Sequence, residues 1–168
     1  MASLDSVYVF QIKTLERWLK KNGYLLIMKK GLEDQIHFVK KCVYINIKHK
    51  PEKRFCYLLH ECGHLLYCRN AALSNRDVPL LYPHVLGVDR AVCVNQRTAI
   101  FKSSSVIEEV NAWMCAKDLC QKLNLYYNNE RLNRYMYKAL YTYIYEYGKE
   151  GYIRWSRKQK NKEKGGKK

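Results

Sequence analysis

Residues 56–68 read CYLLHECGHLLYC, with His60, Glu61 and His64 in an H-E-x-x-H pattern. Positions four apart lie on one face of a helix, so both imidazoles would project together. Phe55, Leu58, Leu59, Cys62, Leu65 and Leu66 repeat with helical spacing around them. Pro51 is tolerated in a first helical turn, and Glu52 suits the positive end of the helix. The spacing predicts an amphipathic helix that begins near Pro51, buries its leucines and presents His60, Glu61 and His64 to a polar space. Any fold for this chain must cover the first side and leave room over the second. Gly63 costs about 1 kcal/mol in mid-helix relative to alanine. Its presence is explained if another backbone or a substrate comes close there.

Paired histidines with an adjacent glutamate suit zinc chemistry. His60 and His64 would bind the ion and Glu61 would act as general base on a zinc-bound water. Zinc lowers the pKa of its water to about 7 and polarises a carbonyl, which is what peptide hydrolysis requires. The competing reading is two half-buried histidines on a core helix. A catalytic zinc takes a third protein ligand and keeps a fourth position open. Asn70, not histidine, stands six residues after His64, so the extended metzincin motif is absent. Three candidates remain for the third ligand: Glu109 and Glu108 in VIEEVNAWMCAKDL, and His84 in LYPHVLG. Glu109 shares a side with Ala112 and Trp113, whereas Glu108 would complete a capping box from Ser105. His84, Tyr82 and Arg90 are alternative donors to a tetrahedral transition state. Asp89 and Asp118 are candidates to orient the histidines, and the sequence does not choose between them. His37 on a strand and His49 in a lysine cluster read as structural or solvated.

The remaining elements follow from periodicity and turn chemistry. Residues 4–22 form an amphipathic helix ended by Asn22-Gly23. YLLIMKK, residues 24–30, is a short strand between Gly23 and Gly31. Residues 34–50 alternate as a hairpin turning near Lys40-Lys41. Residues 70–104 have little periodicity, with AVCV at 91–94 as one candidate strand. A second helix is expected from about Ser104 to Leu125 and a third from 129 to 147. YTYIYEY, residues 141–147, alternates like a strand. The expected fold is α+β: a small, mostly antiparallel sheet of about three strands packed on the H-E-x-x-H helix and further helices. One domain covers 1–147, and 148–168 is a flexible basic tail.

Composition bounds the class. The chain has 168 residues, enough for one domain with its own core. No apolar run approaches a membrane span, and the N-terminus lacks a basic leader before an apolar block, so a cytoplasmic protein is expected. Seven cysteines without a C-x-x-C pair read as reduced core thiols. Net charge is +16, and residues 148–168 hold nine basic and two acidic residues, which favours DNA or an acidic protein as partner. The many Lys, Tyr, Asn and Ile residues are what an AT-rich coding genome gives, a viral one included.

LLHECGHLL on one helix followed by EEVNAWMCA on the next resembles the ImmA/IrrE-type metallopeptidases, phage members among them. Their pattern is H-E-x-x-H followed by a helix carrying E-x-x-A and an aromatic residue. His60, Glu61 and His64 match the first part; Glu109, Ala112 and Trp113 match the second. The resemblance covers roughly residues 5–125. It implies a minimal zincin-like fold of the gluzincin type, one Zn2+ per chain held by His60, His64 and Glu109, and hydrolysis of a regulatory protein in the cytoplasm (the host's, if viral). It also implies an edge strand beside the active helix that aligns the substrate, for which Tyr44, Ile45 and Asn46 are the candidates. The chain departs from the family in having no room for a full helix-turn-helix domain and in a longer His64–Glu109 connection. The alternative is a zinc-containing, DNA-associated module, either a SprT-like protease or an inactive peptidase fold using its basic surface.

Overall fold

A computed structural model describes residues 4–73 and 99–165, with the backbone alone for 71–73, 99–101 and 150–165. Within these residues the order is α1 (Leu4–Lys21), β1 (Leu25–Lys29), β2 (Gln35–His37), β3 (Cys42–Asn46), α2 (Pro51–Leu73), α3 (Ala99–Lys122) and α4 (Asn129–Gly165). The fold is α+β, with four helices and one small sheet. The AVCV segment lies outside the described residues. No described helix is long and apolar enough to cross a membrane.

Helix α1 buries Tyr8, Ile12, Leu15 and Leu19 on one stripe. It stops where the sequence places its stop. Gly23 adopts φ +80°, the Tyr24 N–H donates to the Leu19 carbonyl at 3.0 Å, and the Gly23 N–H donates to that of Lys20 at 3.1 Å. This glycine-terminated cap turns the chain into β1. Helix α3 ends the same way on a non-glycine residue. Asn124 takes φ +49°, and the Leu125 N–H donates to the Cys120 carbonyl at 2.9 Å. The cap closes α3 at Lys122, short of Leu125.

The sheet order is β1-β3-β2. β2 and β3 form the expected antiparallel hairpin, with Lys41 at φ +49° in its turn. β1 runs parallel to β3 over five residue pairs, so the sheet is mixed rather than mostly antiparallel. The chain crosses from β1 to the far edge before returning along β3. Asn46 secures the crossing: its side-chain oxygen accepts from the Gly31 N–H at 3.3 Å, and its own N–H donates to Asp34 Oδ1 at 2.8 Å. This order corrects one expectation. Tyr44, Ile45 and Asn46 occupy the central strand, paired with Ile27, Met28 and Lys29 on one side, and Tyr44 pairs with Gln35 on the other. β3 is covered by β1 throughout and by β2 as far as Tyr44, and the edges of the sheet are β1 and β2.

Helix α2 is the hub. Phe55, Leu58, Leu59, Cys62 and Leu65 are buried against Tyr8, Leu15 and Leu19 of α1, Val43 and Ile45 of β3, Trp113 and Ala116 of α3, and Leu132 of α4. Each fully buried leucine contributes about 1.5–3 kcal/mol. The Tyr8 and Phe55 rings lie 5.5 Å apart, and Arg131 pairs with Glu52 at 2.6 Å to fix the start of α4. The six described cysteines are all free thiols. Helix α4 does not stop at Gly148; its backbone continues to Gly165. Gly148 and Gly151 each cost about 1 kcal/mol there, but most other residues up to Lys164 are good helix formers.

The α2 and α3 backbones come close at Gly63. A Cβ built there would fall on the Ala112 carbonyl, 2.9 Å from its carbon, and 3.1 Å from the Ala116 nitrogen. Another backbone therefore explains the glycine. Gly63→Ala should lower unfolding free energy by about 1–3 kcal/mol, because separating two helices outweighs the gain in helix propensity. Urea denaturation checks this; a variant as stable as the parent would contradict the contact.

Candidate metal centre

Three elements build the site. His60, Glu61 and His64 lie on consecutive turns of α2, all buried. Glu108 and Glu109 lie on α3, which the Gly63–Ala112 contact holds against them. Tyr143 reaches in from α4. His60 Nε2 and His64 Nε2 are 3.2 Å apart. Glu109 Oε2 is 3.1 Å from His60 Nε2, and Glu109 Oε1 is 3.5 Å from His64 Nε2. The three residues thus offer one ligand atom each within 4.8 Å of one another.

These separations suit a metal. Ligands about 2.0–2.1 Å from a tetrahedral zinc stand about 3.3 Å from each other. The charge balance agrees with the distances. Glu61, Glu108 and Glu109 are 5%, 1% and 7% exposed, so three carboxylates are buried around two imidazoles. Glu108 is poorly satisfied: among the described residues only His64 Nδ1 comes near, 3.5 Å from Oε1. Buried carboxylates need a counter-charge, and a divalent cation supplies one. The donor set, two imidazoles and a carboxylate, fits zinc among several divalent metals.

The electrostatics of the bare residues point the same way. Burial alone would lower the pKa of His64, but the carboxylates of Glu108 and Glu109, with Glu61 behind them, raise it to about 10. Burial works to raise Glu109, yet His60 and His64 hold its carboxyl well below the usual range. Burial pushes Glu61 up; the two histidines and a hydrogen bond from the Ile36 N–H offset only part of that rise. Glu61 therefore has a raised proton affinity, while Glu109 stays ionised between the two histidines.

The surroundings orient the histidines. The Trp113 indole stacks on His60 with centroids 4.2 Å apart and planes 19° from parallel. Trp113 follows Glu109 by one turn, so the same face of α3 supplies both. Glu108 Oε1 lies 3.5 Å from His64 Nδ1, on the side away from the other ligand atoms. A proton on Nδ1 facing that carboxylate leaves Nε2 free to bind.

The fate of each candidate follows. Glu109, not Glu108, joins the two histidines. Glu108 is no cap, because α3 begins at Ala99 and Ser105 lies inside it; the carboxylate turns inward to His64. Asp118 is exposed on α3, away from the cluster. Tyr82, His84, Asp89 and Arg90 lie outside the described residues. His49 is not merely solvated: its Nε2 is 2.9 Å from Asp34 Oδ2, and it lines the same cavity as His60. His37 accepts from the Lys40 N–H at 3.3 Å and shapes the hairpin turn. Tyr143 was missed, although it lies on the apolar stripe of Leu132, Met136 and Ala139 and a buried tyrosine hydroxyl seeks a partner.

The cluster opens on a cavity of about 730 Å³. Gln35, Ile36 and Phe38 from the β2 side line it, together with Tyr57 of α2 and Ala139 and Tyr143 of α4. The edge strand β2 thus borders the metal-ligand cluster.

The purified chain should hold one divalent metal after dialysis. Glu109→Ala should lose it. Glu108→Gln should keep it with about tenfold to a hundredfold weaker affinity, the usual cost of a lost orienting partner. Metal analysis and chelator competition read both. Full retention by Glu109→Ala would place the third ligand elsewhere, with His84 the first to test.

No family model, curated protein or solved structure matches the chain.

Proposed function

We propose that this protein is a metal-dependent endopeptidase of the gluzincin type, using zinc held by His60, His64 and Glu109. The carrying observation is the convergence of a buried Glu61 with that three-atom cluster at the wall of an open cavity beside a strand edge. Bound zinc would supply Lewis acidity toward the peptide carbonyl and acidify water. The chain's own residues do the rest. The Glu61 carboxylate takes the proton from the attacking water and returns it to the leaving amine nitrogen, completing addition of water across the C–N bond. Burial raises the proton affinity of this carboxylate, which favours the first transfer. Trp113 and Glu108 keep the two imidazoles in place.

Among the described residues no strand lies on the far side of β2, where a peptide in extended form can add alongside the Ile36 N–H that Glu61 takes. The Ile36 N–H bonds Glu61, so β2 runs beside the proposed base. The scissile bond would then lie along the edge strand and over His60 and His64. The substrate is a cytosolic regulatory protein in this reading, and the basic residues of 148–168 bring the enzyme to DNA or to an acidic partner.

The alternative, a zinc-holding module without catalysis, gives Glu61 no task. A carboxylate 5% exposed beside another buried carboxylate costs stability, which is the expected signature of a working base. A SprT-like site takes a downstream histidine as third ligand, where Glu109 already stands.

Glu61→Gln should retain the metal and lower kcat on a cleavable substrate by about 10²–10⁴-fold. Metal content and single-turnover cleavage of candidate repressors check this. Undiminished cleavage by the variant would overturn the base assignment. Replacing Arg154, Arg157, Lys158 and Lys160 by glutamine should weaken DNA binding and flatten its salt dependence. Titrations at several salt concentrations test it; an unchanged slope would remove 148–168 as the docking segment.

A further inference from the structure

We infer that Tyr143 is a positioning residue of the metal centre, holding Glu109 so that it binds metal through Oε2 alone. The inference rests on the metal-binding reading above and adds a role for α4, which brings no ligand of its own. The Tyr143 hydroxyl donates to Glu109 Oε1 at 2.9 Å. The other oxygen, Oε2, is the one 3.1 Å from His60 Nε2. Both oxygens face the histidines, but the phenol engages Oε1, 3.5 Å from His64 Nε2, and leaves Oε2, 3.1 Å from His60 Nε2, without that bond. An oxygen already accepting a short hydrogen bond is a poorer ligand, so a bidentate grip is disfavoured. A one-oxygen grip keeps a position open on the cavity side, where Tyr143 and Glu61 both line the wall.

The surroundings favour the hydroxyl over the ring as the working part. Tyr143 is half-buried, and its ring packs at a tilt against Tyr147 with centroids 6.1 Å apart. Phenylalanine would keep that packing. Tyr141, two residues earlier, is 65% exposed and stacks on Tyr145 on the outer face of α4. It makes a matched control for removing a tyrosine hydroxyl from the same helix.

The test uses the full chain as parent, Tyr143→Phe and Tyr141→Phe. Zinc affinity is read by chelator competition, coordination by the visible absorption of the cobalt-loaded protein, and fold by the urea midpoint of the metal-free protein. Tyr143→Phe should bind zinc about tenfold to a hundredfold more weakly, with a weaker cobalt band as Glu109 closes through both oxygens, and with the parent's urea midpoint. Tyr141→Phe should match the parent in all three. A zinc affinity for Tyr143→Phe within about threefold of the parent's, or tighter, overturns the inference and leaves the metal centre standing. A parent chain that takes up no zinc overturns both.

Discussion

Two helix backbones meet at Gly63, and the site depends on that meeting. α2 carries both imidazoles and α3 carries the carboxylate that joins them, so the spacing between the helices sets the ligand distances. A side chain at either contact would push Glu109 away from His60 and His64. Gly63 and Ala112 are small for the same reason that Glu109 and His60 are close. The missing side chain at Gly63 lets the α3 backbone at Ala112 come this close, one turn beyond Glu109.

The interior bears an electrostatic cost for this arrangement. Three carboxylates are buried in one corner of a small protein, offset by two imidazoles and a phenol. Removing such charges from water costs several kcal/mol each. The leucine-rich side of α2, packed on α1, β3, α3 and α4, offsets it. Stability and chemistry are thus divided between opposite sides of one helix.

What the sequence made legible was local and periodic. The 3.6-residue rhythm around HECGH placed α2 and its histidines, and Glu109 followed from its spacing to Ala112 and Trp113. Glu108 misled because a Ser-x-x-Glu pattern reads as a helix start, while the chain had already become helical at Ala99. β3 looked like an available strand because alternation reveals a strand and not its neighbours; pairing with β1 and β2 is non-local. Tyr143 lies on the apolar stripe of its helix, but a stripe does not tell which of its tyrosines meets a carboxylate 34 residues away.

The length of α4 has a geometric consequence. A flexible basic tail would offer its partner at a broad spread of distances, with an effective concentration set by coil statistics. A continuous helix works as a ruler. Between Tyr143 and Gly165 it spans roughly 30 Å, at 1.5 Å per residue. Whatever binds its far end is held at a defined reach from the centre. Under the proposed peptidase function, substrates would be sorted by the distance between their anchoring point and the scissile bond, as well as by the residues around that bond.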